Sequence, residues 1–269
     1  MNRLSRRTFV ATSTLAAAAP LATSVFAAPV REDWIQLFDG KSLKGWHRNP
    51  KRIGHGTGGI WKAEKGTLTG EQDPPGSGNG GILLSDQKFG DFEVEIDMKP
   101  DWGVCSGFFI RGNDQGQCIQ MMVDYHDNGN VGHLYGEGTG SFNTRTFDIN
   151  GRLEGKKLVG METAKHRTAD EVGLVSSCKP DEWVRAWKLN DWNTARVRVV
   201  GKYPRITTWI NHTEICEFDG GTSKLKGYDR EKVAKSLGRE GSIAVQVHGG
   251  LGWPKGAKCR WKNIRVKKL

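Results

Sequence analysis

The stretch from Tyr125 to Glu137 gathers two histidines (His126, His133), two acids (Asp127, Glu137) and Tyr135. Imidazole titrates near neutrality, so either histidine could move a proton in a reaction. His126, Asp127 and His133 also offer the imidazole and carboxylate donors that suit a borderline or hard divalent ion, with His126 and Asp127 as the candidate metal pair. The spacing matches no standard metal motif. Asp127-Asn128-Gly129-Asn130 is by itself turn chemistry, so the segment reads equally well as a polar, hydrogen-bonded loop. No G-x-S-x-G and no evident nucleophile–base pair occurs, which argues against a serine or cysteine hydrolase. A glycosidase-type carboxylate pair, Asp124 with Glu137, stays open.

Those residues need elements to hold them. Side chains alternate across a strand, so position parity sorts them by face. In the strand expected over 118–125, Gln120, Met122 and Asp124 share one face, and Ile119, Met121, Val123 and Tyr125 share the apolar one. In the strand at 242–248, Gln246 and His248 lie together, opposite Val245 and Val247. In the strand at 107–111, Phe109 and Arg111 lie together. If these strands are neighbours, Arg111, Gln120, Asp124, Gln246 and His248 line one polar surface, with the 125–137 loop at its rim. Arg111 could equally be an ion-pair partner, and His248, ahead of Gly249-Gly250, could simply end a strand. His47, His55, His166 and His212 read as surface residues in loops.

The rest of the chain supports an all-β architecture. Phe92-Glu93-Val94-Glu95-Ile96-Asp97-Met98 alternates at every step, as a half-buried strand does. Ile60–Glu64 and Thr67–Gly70 flank a Lys65-Gly66 turn and predict a hairpin. Further strands are expected over 195–200, 206–210, 214–218 and 259–267, with one short helix over 229–237 and a poorly alternating insertion over 136–192. Many strands, frequent turns and few helices predict a β-sandwich or jelly roll of two antiparallel sheets.

At the N-terminus, Ser5-Arg6-Arg7-Thr8-Phe9-Val10 precedes an Ala-rich apolar run and Val25-Phe26-Ala27. Residues 1–27 therefore predict a twin-arginine-type export signal, a periplasmic or secreted destination, and a mature domain over 31–269. No other stretch approaches the ~20 apolar residues of a membrane span. The net charge of +10 draws Arg3, Arg6 and Arg7 from that segment, and no Lys/Arg block resembles a nucleic-acid arm, so neither membrane nor nucleic acid is an expected partner. Five cysteines without a CxxC predict free thiols rather than a zinc ribbon or a dense disulfide scaffold.

Four segments together resemble the 3-keto-disaccharide hydrolase domain family. Leu37-Phe38-Asp39-Gly40-Lys41-Ser42-Leu43-Lys44-Gly45-Trp46 is similar to its opening, and Trp61-Lys62-Ala63-Glu64-Lys65-Gly66-Thr67-Leu68 to its first hairpin. Ser106-Gly107-Phe108-Phe109-Ile110-Arg111-Gly112 resembles its "SGIFLRG" strand. Ile243–Gly249 and Arg260–Val266 resemble its closing pair. The match runs in order from about 33 to 269. It departs at 118, where Cys118 stands in place of the acid of the family's "YEVQILD", and in the 150–180 insertion.

The resemblance implies a concanavalin A-like jelly roll and cleavage of glycosides already oxidised at C3. The ketone acidifies C2–H; a base takes that proton, the C1 substituent leaves, and water adds back. On that reading His126 or His133 is the base, oriented by Asp124, and Arg111 or His248 meets the enolate oxygen. Gln120, Gln246, His248, Tyr135 and Glu137 hold the sugar. A divalent ion at His126 and Asp127 would serve the same end; no other cofactor is implied. The competing reading is a non-catalytic carbohydrate-binding module using the same face.

Overall fold

The computed structural model describes residues 33–269, and the expected export signal lies outside the described residues. In chain order come β1 (Ile35–Gln36), β2 (Trp46–Arg48), the hairpin β3 (Ile60–Glu64) and β4 (Thr67–Glu71), β5 (Gly81–Phe89) and β6 (Phe92–Met98). β7 (Val104–Gly112), β8 (Cys118–Tyr125) and β9 (Asn130–Glu137) form a meander, followed by the hairpin β10 (Asp148–Glu154) and β11 (Lys157–Ala164). After β12 (Ser176–Ser177) and α1 (Pro180–Ala186) runs the meander β13 (Asn193–Val200), β14 (Arg205–Ile210) and β15 (Thr213–Asp219). α2 (Arg230–Leu237), β16 (Gly241–Val247) and β17 (Cys259–Lys268) complete the order.

The strands build two antiparallel sheets and one separate hairpin. One sheet runs β12-β15-β14-β13-β6-β17-β4-β3, with β1 also on β17; the other runs β2-β5-β16-β7-β8-β9. The apolar parity sets meet between them. Val94, Ile96, Val197 and Ile206 of the larger sheet pack with Phe108, Ile110, Ile119, Met121, Val123 and Val245 of the smaller. This is the jelly-roll sandwich expected from the sequence, and the strands at 60–64, 92–98 and 118–125 fall where alternation puts them.

The smaller sheet has a second buried patch on its outer side. Ile82, Leu84, Phe109, Cys118 and Ala244 carry Ile53 there, so the segment after β2 folds over that face. Asn49 holds the segment closed: its amide donates to the carbonyls of Lys51 and Gly56, and its Oδ1 accepts from the Ile82 amide. α2 forms as expected, with Asp229 accepting from the amides of Glu231 and Lys232 at its N-terminus. All five cysteines are free thiols.

Two local expectations fail for backbone reasons. The rim loop expected to reach Glu137 is confined to residues 126–129, because β9 already begins at Asn130. The β9 glycines serve packing: a Cβ on Gly136 would lie 2.3 Å from the Phe142 ring, and one on Gly132 would lie 2.8 Å from Ile215. The second failure is at Arg111. Between Gly112 and Phe109 the pairing with β16 shifts, and Arg111 takes a φ of 51°. Such a bulge breaks the parity rule at that residue.

Candidate functional site

Four rows of side chains cross the outer face of the smaller sheet. Cys105 pairs with Asp124, Gly107 with Met122, and Phe109 with Gln120, which in turn faces Tyr135 on β9. Cys118 faces Glu137 one pair further along. On the β16 side, the backbone amide of His248 donates to the Cys105 carbonyl at 3.2 Å. The face therefore carries Cys105, Asp124, Gln120, Tyr135, Glu137, Gln246 and His248, much as parity predicts.

Gly107 is the space in the middle. A Cβ at that position would stand 1.8 Å from Oε1 of Gln120 and 3.0 Å from Oε1 of Gln246. Only glycine lets both amides lie flat on the strand between them. Both glutamines are buried, and neither Oε1 has a hydrogen-bond partner. The other end of Gln246 is satisfied, because its Nε2 donates to Nε2 of His55 at 3.0 Å.

At one end of the face lies a cavity of about 490 Å³, lined by residues that include Trp102, Cys105, His126, Asp127, His248 and Trp253. Two histidines are oriented toward the same chemistry by main-chain carbonyls. Nδ1 of His126 donates to the Asp127 carbonyl at 2.9 Å, and Nδ1 of His248 donates to the Gly249 carbonyl at 2.5 Å. A carbonyl can only accept, so each contact fixes a proton on Nδ1, and in the neutral ring the lone pair is then on Nε2. Burial raises the pKa of Asp124, against the lowering effects of the Cys105 thiol and of His126 and His248. Burial likewise raises Glu137, with the Asp124 charge adding to it and His248 opposing.

Two expected catalytic residues do not belong to this site. Arg111 is turned away by its bulge: Nε and Nη2 donate to the Gly90 carbonyl, and Nη2 also reaches the Gly201 carbonyl and Asp91. It pins two turns at one end of the sandwich. His133 is fully buried, with Nδ1 on Asn130 and Nε2 within 3.0 Å of both Ser177 and Thr146, edge-on to Phe147. Burial alone lowers its pKa to about 3. It does not line that cavity and is no candidate base. Asp127, paired in the sequence reading with His126 for a metal, instead accepts the Gly151 amide at 3.0 Å.

His55 and Cys105 join the site without having been expected there. His55 is 5% exposed, not a surface residue, and packs edge-on against His248 with ring centroids 4.8 Å apart. Its Nε2 lies 3.8 Å from Glu137, and burial, aided by His248, lowers its pKa to about 4. A histidine in a loop carries no periodicity that could have located it. Cys105 precedes the Ser106-Gly107 motif and shares its parity with Gly107, which was a usable signal.

Fold and face together define an antiparallel β-sandwich with a polar, partly roofed outer sheet and a cavity at one end. The chain belongs to the 3-keto-alpha-glucoside-1,2-lyase-like domain family, whose profile matches residues 33–267. No curated protein matches the chain. Among solved structures it is similar to a protein provisionally described as a glycosyl hydrolase from Parabacteroides distasonis ATCC 8503, with a TM-score of 0.51 at 18% identity over 88% of this chain and 99% of the other. A lichenase, a prokaryotic beta-1,3-1,4-glucanase derived from a mouse hindgut metagenome, aligns with a TM-score of 0.47 at 14% identity, over 87% of this chain and 97% of its own. The carbohydrate-binding module CBM66 from Bacillus subtilis aligns with a TM-score of 0.41 at 10% identity, over 83% and 96%. At such identities the first of these speaks to the fold alone. Among the described residues, no helix is long and apolar enough to cross a membrane.

Proposed function

We propose that this protein cleaves glycosides whose sugar already carries a ketone at C3, and that it does so outside the cytoplasm after export on residues 1–27. The proton on C2 goes to Nε2 of His248. Its electron pair forms the C1=C2 bond as the C1–O bond breaks, and the departing oxygen takes a proton from Glu137. Water then adds across C1=C2, hydroxyl to C1 and proton to C2, so the net change is hydrolysis. This is proton abstraction next to a carbonyl followed by elimination and hydration.

One observation carries the reading: the Nδ1–H of His248 is held by the Gly249 carbonyl, so the neutral ring carries its lone pair on Nε2 beside the cavity, with Asp124 and Glu137 both within electrostatic reach. A base that becomes cationic in the transition state is stabilised by the Asp124 carboxylate, and by Glu137 as it gives up its proton. His126 has the same tautomer but influences only Asp124 of the two. Raised by burial, Glu137 is better suited than an ordinary carboxylate to deliver a proton near neutrality. Gln120, Gln246 and Tyr135 line the same face and meet sugar hydroxyls, and the indole of Trp102 offers an apolar wall for a pyranose ring.

The family assignment supports a carbohydrate substrate, and the named solved structures include both a hydrolase and a binding module. Incubation with a 3-keto-glycoside and with its unoxidised parent decides between cleavage and binding. Release of the aglycone from the keto sugar alone is expected. Saturable binding of both sugars without release would replace this reading with that of a carbohydrate-binding module.

A further inference from the structure

Cys105 and His126, which line the cavity, meet Asp124, each of the three offering one donor atom, with all three atoms within 4.8 Å of one another. The thiol of Cys105 donates to Oδ1 of Asp124 at 3.1 Å. The two lie directly opposite on β7 and β8, so the sheet itself fixes their spacing. His126 follows β8 by one residue beyond Tyr125, and its Nδ1–H is tied to the Asp127 carbonyl, which points the Nε2 lone pair away from the backbone. An outer hydrogen bond of this kind is what orients a metal-binding imidazole.

From this geometry we infer that Cys105, Asp124 and His126 form a binding site for one divalent transition-metal ion of the zinc type. The donor set is one sulfur, one oxygen and one nitrogen, which favours zinc or cobalt over calcium or magnesium. Zinc bonds of about 2.0–2.3 Å at tetrahedral angles put neighbouring donors roughly 3.2–3.8 Å apart, so small side-chain rotations close the observed cluster onto an ion. Binding exchanges one proton for the metal: the proton now shared by the Cys105 sulfur and Asp124 leaves to solvent, and sulfur, carboxylate and imidazole take the ion. Three protein ligands leave a fourth position facing the cavity, the arrangement of catalytic rather than structural zinc sites. Gly103, Asp127, His248 and Gly249 also line that space, with the Asp127 carboxylate engaged by the Gly151 amide. The ion would sit beside His248, whose amide hydrogen-bonds to the Cys105 carbonyl. A use for it as the partner of the C3 oxygen rests on the cleavage reading above; the ion's retention does not.

The test is spectroscopic and needs no substrate. The full chain, stripped with a chelator, is titrated with Co²⁺ while its absorption is followed. One equivalent of Co²⁺ should bring up a thiolate-to-cobalt charge-transfer band together with the visible bands of a tetrahedral ion, and Zn²⁺ should displace both. Cys105→Ser should abolish the charge-transfer band, and Asp124→Asn and His126→Gln should each weaken binding at least about tenfold. Cys178→Ser, on a different part of the fold, should change nothing. Far-UV circular dichroism identifies any variant that has not folded, and Cys105→Ala then serves beside Cys105→Ser. Absence of a stoichiometric band, or its survival in folded Cys105→Ser, overturns the site. A band without cleavage of a keto-glycoside leaves the metal site standing and refutes the cleavage reading instead.

Discussion

Gln246 donates through Nε2 to His55 at 3.0 Å, joining a strand of the outer face to a loop folded over it, 191 residues away in sequence. The loop side is neutral: burial and the nearby His248 hold His55 at about 4, so it accepts that hydrogen bond throughout the physiological range. His55 therefore acts as a roof that fixes the angle of an amide on the proposed sugar-binding face. In His55→Ala the amide loses its partner and the face opens to water. We expect kcat/KM for a 3-keto-glycoside to fall about tenfold, equivalent to about 1.4 kcal/mol, with KM carrying most of the change. Steady-state kinetics on the purified variant check this; an unchanged KM would remove His55 from the binding face.

His248 should behave differently. Its backbone amide, not its ring, holds the strand end to Cys105, so removing the imidazole leaves the fold intact. His248→Ala is expected to reduce kcat by about 10²–10⁴-fold while KM stays within a few-fold and the melting temperature hardly moves. Activity retained within a factor of two would rule out the proposed base.

Arg111 gives the opposite pattern. It is 2% exposed, and its guanidinium satisfies the carbonyls of Gly90 and Gly201 as well as Asp91. Deleting it strands those acceptors and leaves a carboxylate without its cation. Arg111→Ala should cost on the order of 3–5 kcal/mol in urea unfolding, with kcat per folded molecule unchanged. A loss of kcat without a loss of stability would return Arg111 to the active site.

These contrasts show which parts of the site can be read from a sequence. Parity placed Gln120, Asp124 and Gln246 on one face because β8 and β16 are regular where those residues sit. It misplaced Arg111 because a bulge adds a residue to one strand, and nothing local in Ile110-Arg111-Gly112 announces it. The 125–137 segment read as one loop, since a glycine that makes room for Phe142 looks the same in sequence as one that turns the chain. His133 is polar by type, yet Asn130, Thr146 and Ser177 satisfy it from three separate segments, a closure visible only in three dimensions. His55 was out of reach for the same reason.

Gly107 offers a test of the glutamine pair that leaves both glutamines in place. An added Cβ would collide with Oε1 of Gln120 at 1.8 Å and press on Oε1 of Gln246 at 3.0 Å. Both contacts are with the far ends of flexible side chains, so the amides should swing aside while the strand stays put. Gly107→Ala is expected to raise KM for the keto sugar by about tenfold and to lower stability by only about 1–3 kcal/mol, the range for overpacking. A KM equal to that of the parent would mean that the amides do not touch substrate.

His133 governs a pH effect unrelated to catalysis. Its pKa falls from 6.5 in the unfolded chain to about 3 in the native state because burial penalises the charged ring. Above pH 6.5 both states are neutral and the residue has no influence on pH dependence. As pH drops below 6.5 the unfolded chain binds a proton that the native state refuses, so stability declines, and it continues to decline until about pH 3. The slope for one such group is about 1.4 kcal/mol per pH unit. His55 contributes in the same direction down to about 4, so the total slope belongs to both residues. Comparing the native protein with His133→Gln isolates one of them, because the glutamine cannot titrate. The difference in unfolding free energy between the two proteins, measured in urea at several pH values, should narrow by about 1.4 kcal/mol for each unit of acidification between pH 6 and 4. Parallel curves across that window would mean that His133 is protonated, or solvated, in the native state.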